Sequence, residues 1–414
     1  MIEIDNITII ISGILIVLSA TTPFMNAFFR RPKALSISEE TSSPTDNIVV
    51  NNFEVLDNTD EMSKIGEDET NEPSTFSFPK LSIILTPHEN ALELEQNLSL
   101  FLDQDYPDGF EVIVVVWKGD SETEDVLKRF ASNKHLYTTY IPESSRYMSR
   151  KKLAITLGVK AARNEWIVLT DIECQPASNQ WLKLMARNCK DDKELVIGYT
   201  AYDNNTSDYR RFERLHTAMY LMREDVKKIP YRHNGNNLLF RKSMFITGDG
   251  FRGNLKYLRG EYDFIVNKYA NKSNSALELH RDSWMIEQEP TDKTWRNKHL
   301  FYMENRQHMK RSFCHRILFN LDQWALHLNY LFILSALFFS IISQHWLITI
   351  IVCLTFIVSI SIRTVIGHQA FLLFDEEISL WRIIPYEIGI LWHNILYKVK
   401  YFKADKYDFI SHNI

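Results

Sequence analysis

The chain has 414 residues, 45% hydrophobic and 24% charged, with a formal net charge of −5. That length accommodates two or three domains, and the balance excludes collagen-like, wholly disordered and strongly basic chains, so no nucleic-acid partner is expected. The averages conceal two extremes: residues 6–29 and 323–362 contain no Asp, Glu, Lys or Arg, whereas the stretch between Pro32 and Pro79 is rich in acids. A simple soluble globule is excluded.

A bilayer core of about 30 Å needs about 20 helical residues at ~1.5 Å each. Residues 6–29 supply one crossing. Residues 323–362 are long enough for two, with Ser343, Gln344 and His345 as a polar break, which predicts a helical hairpin with a short outer turn. The first segment lacks the basic leader of a cleaved signal, since Glu3 and Asp5 precede it and no Lys or Arg does. An uncleaved anchor over 1–29 is expected. Arg30, Arg31 and Lys33 follow the first span, Lys310, Arg311 and Arg316 precede the hairpin, and Arg363 follows it. Positive flanks on one side place the middle region and the tail in the cytoplasm, as in a multi-pass protein of the inner (plasma) membrane.

Residues 30–79 read as a disordered acidic tether, because Ser, Thr, Asn, Asp and Glu dominate and no period is visible. The tail, 368–414, follows a hairpin unit set at 311–367. Its apolar stretch 378–399 includes Arg382, Pro385, Glu387 and His393. Charges at bilayer depth cost ~2.5–3.5 kcal/mol each on insertion scales, so an interfacial amphipathic helix is expected there rather than another span, with Lys398, Lys400 and Lys403 toward lipid headgroups. Four cysteines without CxxC spacing indicate free thiols, not a zinc cluster or disulfide framework.

Between tether and hairpin, residues 80–310 alternate apolar strands with helix-length segments. Strands are expected at 81–85, 111–116, 136–141 and 166–170, with helices at 91–102, 124–131 and 151–162. That alternation implies βαβ units and a mainly parallel sheet, in which ligands bind beyond the carboxyl ends of the strands. Asp171 and Glu173 stand at such an end. In extended backbone, positions i and i+2 point to the same side, so both carboxylates could meet one hard cation. With 52 acids in the chain, chance alone produces several such pairs, and placement is what distinguishes this one.

The wider pattern carries more weight. Arg150-Lys151-Lys152 opens a helix, Thr170-Asp171-Ile172-Glu173-Cys174-Gln175-Pro176 follows the strand, and Trp181-Leu182 comes next. Gln104-Asp105-Tyr106-Pro107 precedes the second strand, while Gly235-Asn236-Asn237-Leu238, Arg241-Lys242, Gly250-Phe251 and Gly260-Glu261-Tyr262-Asp263 lie downstream. In this order the elements resemble those of family-2 glycosyltransferases with the GT-A fold, over roughly residues 80–300.

The resemblance implies an α/β, Rossmann-like domain that transfers a sugar from a nucleotide-sugar donor with inversion, aided by a divalent metal (Mg2+ or Mn2+). Asp171 and Glu173 then occupy the metal-binding positions, with Glu where the family has Asp. Breaking the sugar–phosphate bond leaves a diphosphate whose charge a cation can neutralise. Inversion also needs a base for the acceptor hydroxyl. The resemblance places that base at Glu261, with Asp263 as the alternative. Lys151 and Lys152 either touch phosphates at a helix N-terminus or are solvated surface.

Where the family has acids after its second strand, this chain reads Val116-Trp117-Lys118-Gly119-Asp120-Ser121, so base contact falls to Asp120 by a register shift or to stacking on Trp117. His88 and Glu89 end the first strand near the family's nucleotide-binding turn. The Gln-x-x-Arg-Trp element of processive members is not reproduced; Arg296, Lys298 or Arg306 remain to clamp a diphosphate. Its loss argues against a polymerising synthase, and the expected acceptor is a lipid-linked or glycan molecule at the membrane, in glycan or polysaccharide biosynthesis. A non-catalytic scaffold of a glycan-assembly complex is the alternative that the same departures leave open.

Overall fold

The computed structural model describes residues 6–29, 77–141, 149–225, 229–233 and 235–410. The tether expected over 30–79 lies outside the described residues except for its last three. Asn6–Thr21 forms helix α1. The α/β unit then opens with Leu81–Leu85 (β1), Ala91–Leu102 (α2), Phe110–Trp117 (β2), Ser121–Arg129 (α3), Leu136–Ile141 (β3), Arg150–Ala161 (α4) and Trp166–Leu169 (β4). These are the elements that the apolar runs predict. β1 and β4 are buried throughout, which suits Val/Ile/Leu runs in parallel strands covered on both faces. β1 pairs in parallel with β2 and β4, and β2 with β3, so the carboxyl ends of all four share one rim.

After β4 the alternation breaks down. Cys174–Pro176 (β5), Trp181–Ala186 (α5), Leu195–Gly198 (β6), Thr200–Tyr202 (β7), Asp208–Asp225 (α6), Leu238–Arg241 (β8), Lys242–Thr247 (α7), Glu261–Tyr269 (α8), Ser275–Glu278 (β9), Met285–Glu287 (β10) and Asp292–Asn305 (α9) complete the unit. The main sheet has the order β3-β2-β1-β4-β8-β6-β9, with β8 antiparallel to both neighbours, and β5-β10-β7 form a second, small sheet. Leu98, Phe101, Trp181 and Met185 fill one face of the main sheet, and Ile155, Val159, Phe245 and Ile265 the other.

The family-like motifs outside the rim are struts. Asn237 is fully buried: its side chain accepts from Trp181 Nε1 (3.1 Å) and donates to the carbonyls of Tyr199 and Ser283. Gln104 accepts from the Leu182 amide and donates to Leu100 and Ser178 carbonyls, tying α2 to α5.

Phe313–Ile342 (α10) and Trp346–Leu373 (α11) form the hairpin and turn at Ser343–His345, where Gln344 takes a left-handed φ of 56°. Among the described residues, three segments are long and apolar enough to cross a membrane: Asn6–Phe24, Arg316–Ile342 and Trp346–Leu373. Leu15 of α1 packs among Ile333, Ala336, Ile348 and Val352 of the hairpin.

The tail helix Ile383–Lys403 (α12) places its one acid, Glu387, against this bundle. Arg363 donates to Glu387 Oε2 (3.0 Å) and to the Thr22 carbonyl (2.8 Å), and Asn26 donates to the other carboxylate oxygen. Pairing offsets part of the insertion cost that an isolated Glu387 would carry. Trp381, Trp392, Leu396 and Phe402 remain exposed. Phe28, just after α1, packs edge-on against Phe212 and His216 of α6 and against Phe371 of α11. The N-terminal segment, hairpin and α/β unit are thereby joined.

Candidate active site

Asp171 follows β4, but its backbone is not extended. The Cys174 amide donates to the Asp171 carbonyl (3.0 Å), closing a turn over 171–174, so the same-side argument from strand geometry does not apply. The turn nevertheless keeps the carboxylates close enough to influence each other. Crowding by protein, then the negative charge of Asp171, push the Glu173 pKa up. Glu173 is exposed and accepts from Asn90 Nδ2 (3.2 Å). Asp171 is held on both oxygens: Lys151 Nζ donates to Oδ2 (2.7 Å) and Tyr262 OH to Oδ1 (2.9 Å). Burial works against the Lys151 ammonium, but Asp171 and then Glu261 hold its proton more tightly than usual. Burial and Asp171 likewise raise Tyr262, which stays a donor.

The second wall is the start of α8. Gly260 caps it with φ of 96°, and a Cβ there would lie 2.3 Å from Asn305 Nδ2, so only glycine fits the turn. Glu261 is the next residue, 3% exposed, and its Oε1 has no hydrogen-bond partner among the described residues. Asp263 is engaged: it accepts from the His233 amide (3.1 Å) and faces Arg232 Nη1 at 3.5 Å. Arg232 in turn lies 3.8 Å over the Tyr302 ring.

Sequence reasoning missed a third group. Glu287 ends β10 opposite Cys174 of β5 and Tyr202 of β7. It is 4% exposed and binds Arg214 Nη2 (2.6 Å) and Lys298 Nζ. Burial opposes its charge, but Lys298 and Arg214 bring its pKa down to about 2. No motif marks Glu287 or Arg214; they meet only because β5, β10 and β7 form the small sheet. Lys298 of α9 is the second cation at Glu287, whereas Arg296, two residues earlier, is exposed.

Lys152 sits elsewhere than expected. It is neither on the rim nor solvated: fully buried, it donates to the carbonyls of Asn254 (2.9 Å) and Tyr257, and burial brings its pKa down to about 8. Successive helical residues diverge by ~100°, so only Lys151 of the pair reaches Asp171. Asp120 is the N-cap of α3, accepting from Thr123 N (3.2 Å) and Thr123 Oγ1 (2.8 Å). Trp117, at the end of β2, lies under the Arg150 guanidinium (4.7 Å), which reaches His88 Nε2 at 3.4 Å. Glu89 is exposed beside it, with φ of 59°.

The donor set at 171–173 suits a hard divalent cation: two carboxylates as oxygen ligands, with Glu173 raised by burial and by the charge of Asp171. Among the described residues, no group of three or more His, Cys, Asp or Glu side chains could hold a metal. A cation here would have these two carboxylates and complete its shell from substrate phosphate and water.

Residues 82–258 match the model of glycosyl transferase family 2. The chain carries a family-2 glycosyltransferase domain. Its mainly parallel sheet with flanking helices is the GT-A architecture expected from the motifs. No curated protein matches the chain. Similar solved structures include the mannosyltransferase PcManGT from Pyrobaculum calidifontis in complex with GDP-Man and Mn2+, 15% identical, with a TM-score of 0.45 over 89% of this chain and 100% of that one. TarS 1–349 of S. aureus is 12% identical, with a TM-score of 0.40 over 76% of this chain and 92% of that one. It has also been solved in complex with UDP-GlcNAc, where it is 11% identical, with a TM-score of 0.40 over the same shares.

Proposed function

We propose that this glycosyltransferase is a membrane-anchored, inverting enzyme that moves a sugar from a nucleotide-sugar donor to a lipid-linked or glycan acceptor at the membrane, in glycan or polysaccharide biosynthesis. The observation that carries the reading is the pairing of a rim carboxylate, Asp171, already bridged to a cation, with a buried, unpartnered carboxylate oxygen of Glu261 in the same electrostatic field. The first suits a diphosphate and its counter-ion; the second suits a proton acceptor.

In this reading Asp171 and Glu173 hold Mg2+ or Mn2+, which when bound neutralises the leaving diphosphate. Lys151 supplies a fixed positive charge beside it, and Tyr262 holds the Asp171 carboxylate in place. The acceptor hydroxyl gives its proton to Glu261 as its oxygen attacks the anomeric carbon. The bond from that carbon to the diphosphate oxygen breaks, and its electron pair leaves with the diphosphate. One displacement inverts the configuration. Glu261 is preferred over Asp263 as base because Arg232 and the His233 amide already occupy Asp263.

The chain's positive flanks support a multi-pass arrangement in the inner (plasma) membrane with the α/β unit, spanning 80–310, cytoplasmic. In that arrangement α12 lies along the interface, its exposed Trp392, Leu396 and Phe402 in the acyl boundary. The test is sugar transfer by the purified full chain with a panel of nucleotide sugars and Mn2+ or Mg2+. Wild type is expected to transfer one or more of them, and Asp171→Ala to lose the activity while keeping its melting temperature. Full activity in Asp171→Ala, or in wild type stripped of divalent metal, would remove the metal-site assignment.

A further inference from the structure

This inference rests on the reading above and concerns what fixes the carboxylate of Glu261. A general base must lie within hydrogen-bond reach of the hydroxyl it deprotonates, and a misplacement of about 1 Å can lower a rate roughly a hundredfold. Glu261 is the first residue of α8, so its place is set by the turn before it. Three successive residues of that turn are held by three different parts of the chain. The Tyr257 carbonyl accepts from Lys152 Nζ of α4, the Leu258 amide donates to the Phe409 carbonyl (3.0 Å), and the Arg259 carbonyl accepts from Asn305 Nδ2 of α9 (2.9 Å). Gly260 and Glu261 follow directly.

The middle hold comes from the tail. Residues 405–410 leave α12 and fold back as a compact hook, in which Asp405 accepts from the Tyr407 amide (2.9 Å) and the Ile410 amide donates to the Tyr407 carbonyl (3.3 Å). Ile410 then forms an antiparallel bridge with Tyr257. Phe409 anchors the hook: it is 3% exposed, lies edge-on to Phe301 of α9 (5.5 Å) and packs among Met303, Tyr397 and Tyr401. Packing alone would need only the Phe409 ring. The backbone contacts reach further, to Tyr257 and Leu258, and Tyr257 is itself buried and stacked on His308 (4.5 Å). The tail therefore binds the main chain of the turn that launches Glu261.

We propose that residues 405–410 are a positioning strap for the transfer reaction, holding the 257–259 turn so that the Glu261 carboxylate meets the acceptor hydroxyl. Removing residues 405–414 from the full chain tests this. kcat should fall roughly ten- to hundredfold while KM for the donor stays within about threefold of wild type. Hydrogen exchange should find the Leu258 amide slow in wild type and fast in the truncated chain. In a Glu261→Gln background the truncation should lower kcat no further, because a strap that acts through the base then has nothing to position. Phe409→Ala, which keeps the length of the chain, should show the same split between kcat and KM, and Phe409→Leu should recover most of the rate. Unchanged kcat in both the truncated chain and Phe409→Ala, or a full further loss in the Glu261→Gln background, overturns the strap and leaves the transferase reading standing. Full transfer by Glu261→Gln overturns the base assignment and the strap together.

Discussion

Two carboxylate–cation pairs of nearly equal length divide the labour of this protein. Lys151–Asp171 (2.7 Å) sits on the rim of the sheet with side chains 21% and 17% exposed; Arg363–Glu387 (3.0 Å) lies at the seam of the hairpin, the N-terminal segment and the tail helix, 2% and 3% exposed. The chemistry is the same, and the surroundings decide the role. On the rim, water or an incoming phosphate can replace a partner, so the pair can open to a ligand. In the seam nothing can, and loss of either member strands a charge.

The largest effect should come from breaking the seam. Arg363→Met leaves Glu387 buried without its cation and should cost about 3–5 kcal/mol, read as a fall in melting temperature in detergent; Arg363→Met with Glu387→Leu should recover much of it. If the single variant melts like wild type, the seam is not a structural clasp.

Glu261→Gln is the corresponding cut at the rim. Loss of the proposed base should lower kcat by roughly 10²–10⁴-fold with the melting temperature retained, and nucleotide binding should persist because Gln keeps the shape. A rise in KM with kcat unchanged would instead assign Glu261 to substrate binding.

Lys152 sharpens the contrast through pH. Its pKa is about 8 in the fold against 10.5 as a free side chain, so between those values the unfolded chain binds the extra proton and stability rises with pH. Across that window the difference between wild type and Lys152→Met should change by up to about 3 kcal/mol, seen in denaturant midpoints at pH 7.5 and 10. A pH-independent difference would place Lys152 in water.

The smallest change is Gly260→Ala. With φ of 96° and Asn305 in the way, it should cost about 1–3 kcal/mol and, by shifting the start of α8, lower transfer more than binding. Unaltered transfer would separate the cap from catalysis.

Much of the rim was legible from order along the chain. β1 to β4 are local apolar runs, their ends are where a parallel sheet exposes ligand-binding positions, and Asp171, Glu173 and Glu261 occupy such points or their facing helix start. Residues whose roles depend on neighbours distant in sequence were not legible. Lys151 and Lys152 are adjacent and alike, yet one meets Asp171 and the other the carbonyls of Asn254 and Tyr257. Asp120 is committed to capping α3 through Thr123, and Arg296 and Lys298, two residues apart, face different sides of α9.

By itself, then, the sequence determined where strands, helices and bilayer-length segments form, because periodicity and apolar length are local properties. Tertiary structure alone decided which charges are paired and which carboxylate keeps an oxygen free. Glu287 finds Arg214 and Lys298, and Glu387 finds Arg363, across stretches of chain that only packing brings together. A charge's role depends on burial and on what lies within a few ångströms, and neither is written in its position along the chain.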